Sequence, residues 1–233
     1  RVEMDPDKRR TMVHKIQELI YQDAASSPIV YPSMTNAYRE DRLTGLVPQV
    51  GEGIGSLWSD LNVSVKKGDG YIRTGQTSPL KNLNPVSVTD SNEFKELRMI
   101  YDRLIQVGPD GSLKPWAASS IKSPDSKTVD ITIREGMKFH DGMPVTIEDI
   151  KFTFDYQKKW KAPFFTSSLE KFESIKITGK NSLRIKLTEP HAPLMINFFA
   201  QIFILPKHIW KDIPDKAKVA DVLNFANEKP IGS

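Results

Sequence analysis

The sequence predicts an α+β (mixed α/β) fold, with strands and helices interleaved. Three observations carry this. Met12, Val13, Ile16, Leu19 and Ile20 recur at helical spacing behind Asp5-Pro6, an acidic cap followed by a first-turn proline. Ser174–Thr178 and Ser182–Leu187 alternate with period two around Gly179-Lys180-Asn181, the pattern of a hairpin. Strands and helices follow one another without strict βαβ repetition.

The remaining elements follow from the same rules. Ser27–Tyr31 reads as a short strand and Asn36–Arg39 as a second. Thr44–Asn62 is rich in glycine and poor in periodicity, so a surface loop is expected, pinned by the large ring of Trp58. Val65–Gly70 is a short polar joint, and Tyr71–Gly75 a strand leading to the loop 76–82. Ser91 is placed to cap a helix over Asn92–Gln106, with Phe94, Leu97, Ile100, Tyr101 and Leu104 on its buried face. Val129, Ile131 and Ile133 share one face of a strand. Asp141-Gly142 is a turn pair, and Met143-Pro144 fixes an extended approach to a helix from Thr146 to about Trp160. There the Thr146 hydroxyl is expected to accept from first-turn amides, with Asp149 in the capping-box position. Short helices are expected after Pro193, after Pro206 and over Val219–Phe225.

Composition narrows the function. The longest apolar run in this stretch, Ile202–Leu205, falls far short of the ~20 residues of a membrane helix. The absence of cysteine removes thiolate metal sites and cysteine nucleophiles. The net charge is +4, yet Lys and Arg alternate with acids, as in Arg39-Glu40-Asp41-Arg42, which argues against a nucleic-acid partner. The four histidines lack metal-ligand spacing, and His140-Asp141 reads as turn structure rather than half of a catalytic pair. Gly51-Glu52-Gly53-Ile54-Gly55 lacks the Lys-Ser/Thr of a phosphate loop, and no Gly-x-Ser-x-Gly elbow occurs. No catalytic residue, metal site or cofactor is expected, and the chain is read as a non-enzyme.

Phe139-His140-Asp141-Gly142-Met143-Pro144-Val145-Thr146, continuing through Asp149–Phe154, resembles the signature of solute-binding protein family 5. These are the extracytoplasmic binding proteins of peptide- and nickel-type ABC transporters. Leu83-Asn84-Pro85, Tyr101–Leu104, Asp110–Ala117, Leu205–Trp210 and Pro230–Ser233 fit the same pattern in the same order. The resemblance implies lobe I of a type II-like periplasmic binding protein fold, a mixed β-sheet flanked by helices plus a smaller β-rich subdomain. It also implies an unusual order: residues 1–67 are similar to the family's C-terminal segment and residues 71–233 to its N-terminal one. The stretch from about 90 to 195 would form the smaller subdomain. We therefore expect a circularly permuted lobe I, joined through residues 68–70, with the second lobe absent. The start at Arg1 and the lack of a signal peptide are read as processing or design of the chain.

The family's function implies an oligopeptide ligand, with nickel complexes, oligosaccharides or other solutes as the alternative, and a permease-docking role without solute as a further one. Partners would be the ABC permease subunits and the second lobe. The location would be extracytoplasmic, in the periplasm or as a cell-surface lipoprotein in the parent. By position, Gln76, Thr77, Ser78 and Asn82 would offer hydrogen bonds to a peptide. Trp58, Phe164 and Phe165 would wall its pockets, although core packing is the stronger explanation of each ring. A lone lobe presents half a cleft and is expected to bind weakly or not at all.

Overall fold

The computed structural model describes residues 3–24, 29–30, 35–75, 80, 82–213 and 218–233. Helix α1 (Pro6–Asp23) begins as its sequence requires, with the Asp5 carboxylate accepting from the amides of Asp7 and Lys8. Its apolar stripe is not covered: Met12, Val13, Ile16, Leu19 and Ile20 remain 45% to 54% exposed. Residues 29–30 and 36–39 belong to no strand, and the rest of the first expected strand lies outside the described residues.

The glycine-rich segment is more ordered than expected of a loop. Strand β1 (Leu43–Thr44) pairs antiparallel with β2 (Ser64–Val65) and closes it. Within it Ser56 caps helix α2 (Leu57–Asn62) by accepting from the Ser59 amide, and both serine hydroxyls donate to the Val47 carbonyl. The glycines masked a short helix whose cap is explicit in the sequence. Conversely, the strand expected at Tyr71–Gly75 does not form.

Helix α3 (Ser91–Leu97) is capped by Asp90, one residue before the expected Ser91, and ends well short of Gln106. The chain leaves the helix because Leu104 and Ile105 are drawn into sheet packing. Strand β3 (Ile105–Val107) pairs with β4 (Leu113–Pro115), and the amides of Trp116 and Ala118 donate to the Leu104 carbonyl.

The main sheet is antiparallel and four-stranded: β5 (Ala118–Asp125), β6 (Thr128–Ile133), β8 (Ser182–Leu187) and β7 (Phe172–Gly179), in the order β5-β6-β8-β7. Period two works here as expected. Val129 lies opposite Ile185 and Ile131 opposite Leu183, and all four are buried. Helix α4 (Ile147–Lys159) lays Ile147, Ile150 and Phe154 into this core. Each large ring there is costly to lose, with Phe→Ala in such a site worth about 3–5 kcal/mol. Helix α5 (Thr166–Leu169), a π-helical turn at Met195–Phe199, the extended run 202–205, α6 (Lys207–Trp210) and α7 (Val219–Leu223) complete the packing.

The Phe139–Phe154 stretch is a structural clamp. Gly142 takes φ 85° at the turn, where Met143 donates to the Asp141 carboxylate. The α4 cap differs in detail from expectation: Asp149 Oδ2 accepts from both the amide and the hydroxyl of Thr146, at 2.8 and 2.7 Å. Its other oxygen accepts from the Lys207 amide at 2.9 Å, while Thr153 Oγ1 accepts from Leu205 and donates to the Asp149 carbonyl. His140 and Gly232 exchange two hydrogen bonds, and Asp141 pairs with His208 at 2.7 Å. Gly232 admits no side chain, since a Cβ would stand 1.8 Å from the Ile100 carbonyl oxygen.

Candidate functional site

A cleft of about 1030 Å³ opens between α3, α5, the π-helical turn and the 49–57 segment. Amides and hydroxyls line much of it: Asn36, Gln49, Gln106, Asn197 and Gln201, with Thr89, Ser91 and Ser167. Phe94 and Phe164 form an apolar patch, their rings 4.9 Å apart and edge to face. His191 and Ser168, both buried, sit at the wall with Nε2 and Oγ 3.4 Å apart.

Its charged lining is Glu52, the exposed Lys95 and two arginines. The Arg98 side chain is 7% exposed and pairs with Glu52 at 2.7 Å and Asp60 at 3.4 Å, while also donating to the Gly55 carbonyl. It thereby fastens the 49–62 segment to α3. Arg103, 7% exposed as a residue, donates from Nη1 to the Ala200 carbonyl at 3.0 Å and stacks over Phe203 at 4.8 Å. No acidic side chain among the described residues pairs with it, and the Nε of each arginine has no hydrogen-bond partner. Burial, reinforced by repulsion from Arg98 and only partly offset by Glu52, pulls the Arg103 guanidinium down to about 9.

The residues expected at the site are dispersed. Phe164 stands at the cleft, 44% exposed. Phe165 lies behind it, 1% exposed, with its ring edge to face against Phe198, so it presents no open face to a ligand in this arrangement. Trp58 turns away from the cleft: its indole donates to the Val107 carbonyl at 2.8 Å and meets Trp116 edge to face. Asn82 accepts from the Asn84 amide in a local turn, and Gln76, Thr77 and Ser78 lie outside the described residues.

Sequence reasoning passed over Arg98, Arg103, Glu52 and His191. One signal was available for Arg103: a cation inside the apolar run Ile100-Tyr101-Asp102-Arg103-Leu104-Ile105, where burial is dictated by its neighbours. Neighbouring Asp102 accepts from the Trp116 indole at 2.6 Å, yet burial still raises its carboxyl above the ordinary range. Among the described residues no three His, Asp or Glu side chains gather as a metal cage, and no helix is long and apolar enough to cross a membrane.

The chain is similar to bacterial solute-binding proteins. The family model for bacterial extracellular solute-binding proteins, family 5 (middle region), matches residues 112–233, more than half of the chain. The oligopeptide-binding protein AppA of Bacillus subtilis is 31% identical over 155 residues, covering 64% of this chain and 28% of that protein. Its structure with a nonapeptide superimposes with a TM-score of 0.56 at 29% identity, over 65% of this chain and 30% of that one. A periplasmic oligopeptide-binding protein from Thermotoga maritima, solved with mannohexaose, gives a TM-score of 0.56 at 25% identity, over 66% and 28%. The chain thus spans less than a third of the length of the relatives it matches. It belongs to the family 5 bacterial extracellular solute-binding proteins.

Proposed function

We propose that this chain forms one wall of the solute cleft in an extracytoplasmic binding protein of an ABC importer, and that the solute is an extended peptide. The observation that carries this is the cleft itself. Amides and hydroxyls able to meet peptide groups line it, next to the Phe94–Phe164 patch that suits an apolar side chain. The peptide-binding relatives support the same class. A second wall closing over the ligand would supply the remaining hydrogen bonds and the signal for a permease.

Residues 1–67 are best read as the family's C-terminal segment folded onto its N-terminal one. Supporting contacts run from Val50 to the Pro109 carbonyl, from Trp58 to Val107 and from Arg98 to Glu52. Peptide mapping across residues 60–75 tests the order: Lys67 and Tyr71 on separate polypeptides would end the permutation reading.

Heteronuclear NMR titration tests the solute class. Peptides of three to nine residues should shift cleft resonances at Phe94 and Phe164 with weak, millimolar affinity, about −4 kcal/mol. Submicromolar affinity would contradict the half-cleft reading, and shifts with no peptide would remove the peptide class. An oligosaccharide is the second reading, favoured by the mannohexaose-bound relative and the amide-rich lining, and mannohexaose shifting the same resonances while peptides do not would establish it.

A further inference from the structure

We propose that Arg103 is an anion anchor at the cleft, and that the preferred ligand carries a carboxylate which docks on its guanidinium. This deepens the solute-cleft reading and rests on it. Three cations line the cavity, the exposed Lys95 and two arginines, and of the two arginines only one is paired with carboxylates. Arg98 takes both carboxylates, Glu52 and Asp60, and uses them to fasten the 49–62 segment. Arg103 is itself buried, yet its partners are one backbone carbonyl and two aromatic faces, Phe203 at 4.8 Å and Phe94 at 5.8 Å. Its Nε has no partner.

A buried cation without a counter-ion is costly to fold, and a cationic head is not required to pack against Phe203. The arrangement makes sense as preorganisation. The Ala200 carbonyl fixes one Nη and the two rings hold the guanidinium plane, so the fork is oriented before a ligand arrives. A carboxylate approaching through the cleft would meet an already desolvated donor, where a charge-assisted, forked contact is strongest. Asn197 and Gln201, which line the same cavity, are placed to accept from or donate to the groups beside that carboxylate. Arg98 adds positive potential, while both of its Nη groups are held by Glu52, Asp60 and the Gly55 carbonyl.

The test is a pair of matched titrations followed through the arginine side-chain Nε–Hε resonances, with Arg103→Lys assigning the Arg103 signal. N-acetylglycine carries the carboxylate alone, and N-acetylglycinamide is its neutral analogue. The expected result is a saturable shift of the Arg103 signal with the acid and none with the amide. Peptides then separate the sources of the anion: a free against an amidated C-terminus, and an internal Glu against Gln. The bound form should win by about tenfold or more in one of those pairs, as for a charge-assisted contact. Arg103→Lys should lower affinity for the acid, because a point charge replaces the fork. Arg103→Met should abolish the preference while lowering the melting temperature less than Arg98→Met does, since the loss of the Ala200 hydrogen bond is offset by removal of a buried, uncompensated charge.

Equal shifts with acid and amide, or no shift with either, overturn the proposal. Peptides that bind with no preference for the anion overturn it too and leave the peptide reading standing. Small carboxylates that shift Arg103 while no peptide binds would uphold the anchor and remove the peptide class.

Discussion

The signature clamp around Asp149 and the cleft around Arg103 both bury charged groups, and they treat them in opposite ways. Asp149 is 5% exposed and has both carboxylate oxygens occupied, by Thr146 on one side and Lys207 on the other. Thr153, 1% exposed, both donates and accepts. Arg103, 7% exposed, keeps an unpartnered Nε and no carboxylate. Polar groups that exist to hold a fold are satisfied within it, because leaving one unpaired costs about 1–3 kcal/mol. Groups left unsatisfied beside an open cleft are where a ligand can complete the set. Proximity to the cleft is what gives the second pattern its meaning: Gln157 in α4 also has both amide atoms unpartnered, it does not line the cleft, and nothing in the structure explains it.

The sharpest way to break the comparison is Asp149→Ala. It strips the partner from the Thr146 amide, the Thr146 hydroxyl and the Lys207 amide at once. The expected loss is about 3 kcal/mol or more, read from urea denaturation. A loss below about 1 kcal/mol would mean the clamp does not hold α4 to the 205–207 run as described. Arg98→Met should cost less, about 1–2 kcal/mol, because Glu52 and Asp60 are one-third or more exposed and regain water when their partner leaves. The contrast with Arg103→Met, expected to cost less still because loss of the Ala200 hydrogen bond is offset by removal of an uncompensated charge, is the comparison in its strictest form: two arginines of one cavity, only one of them held by carboxylates. Equal losses at both positions would erase it.

The clamp was legible because its parts are local. Asp-Gly, Met-Pro and Thr-x-x-Asp each constrain the next few residues, and period two in 129–133 and 183–185 needs no knowledge of the rest of the chain. The missed parts depend on contacts distant in sequence. Arg103 is defined by Ala200 and Phe203, about a hundred residues on, and Arg98 by Glu52 and Asp60 on a segment that looked like a structureless loop. Trp58 and Phe165 were flagged as large rings, and residue type alone does not tell a ring facing a cleft from one filling a core. Helix α1 was correctly placed by its stripe and cap, while periodicity says nothing about what the stripe packs against.

The smallest expected effect lies at the rim of the clamp, in the Asp141–His208 pair, which is partly exposed. The hydrogen bond from His208 is the largest influence on Asp141 and holds its carboxyl below the ordinary carboxylate range, with help from the Met143 amide and against a little burial. A carboxylate whose folded pKa is depressed stabilises the protein above its unfolded value of about 3.9 and loses that contribution as pH falls through the folded value. Wild type should therefore exceed Asp141→Asn in urea midpoint at neutral pH by a small margin, and the two should converge in acid, below the ordinary carboxylate range. Because the carboxylate is solvated, added salt should shrink the margin. A margin that is unchanged in acid and in salt would assign the effect of Asn to the turn geometry at Gly142 and Met143 rather than to charge. In that case this corner of the clamp is held by backbone hydrogen bonds alone, and the ionic pair is incidental to it.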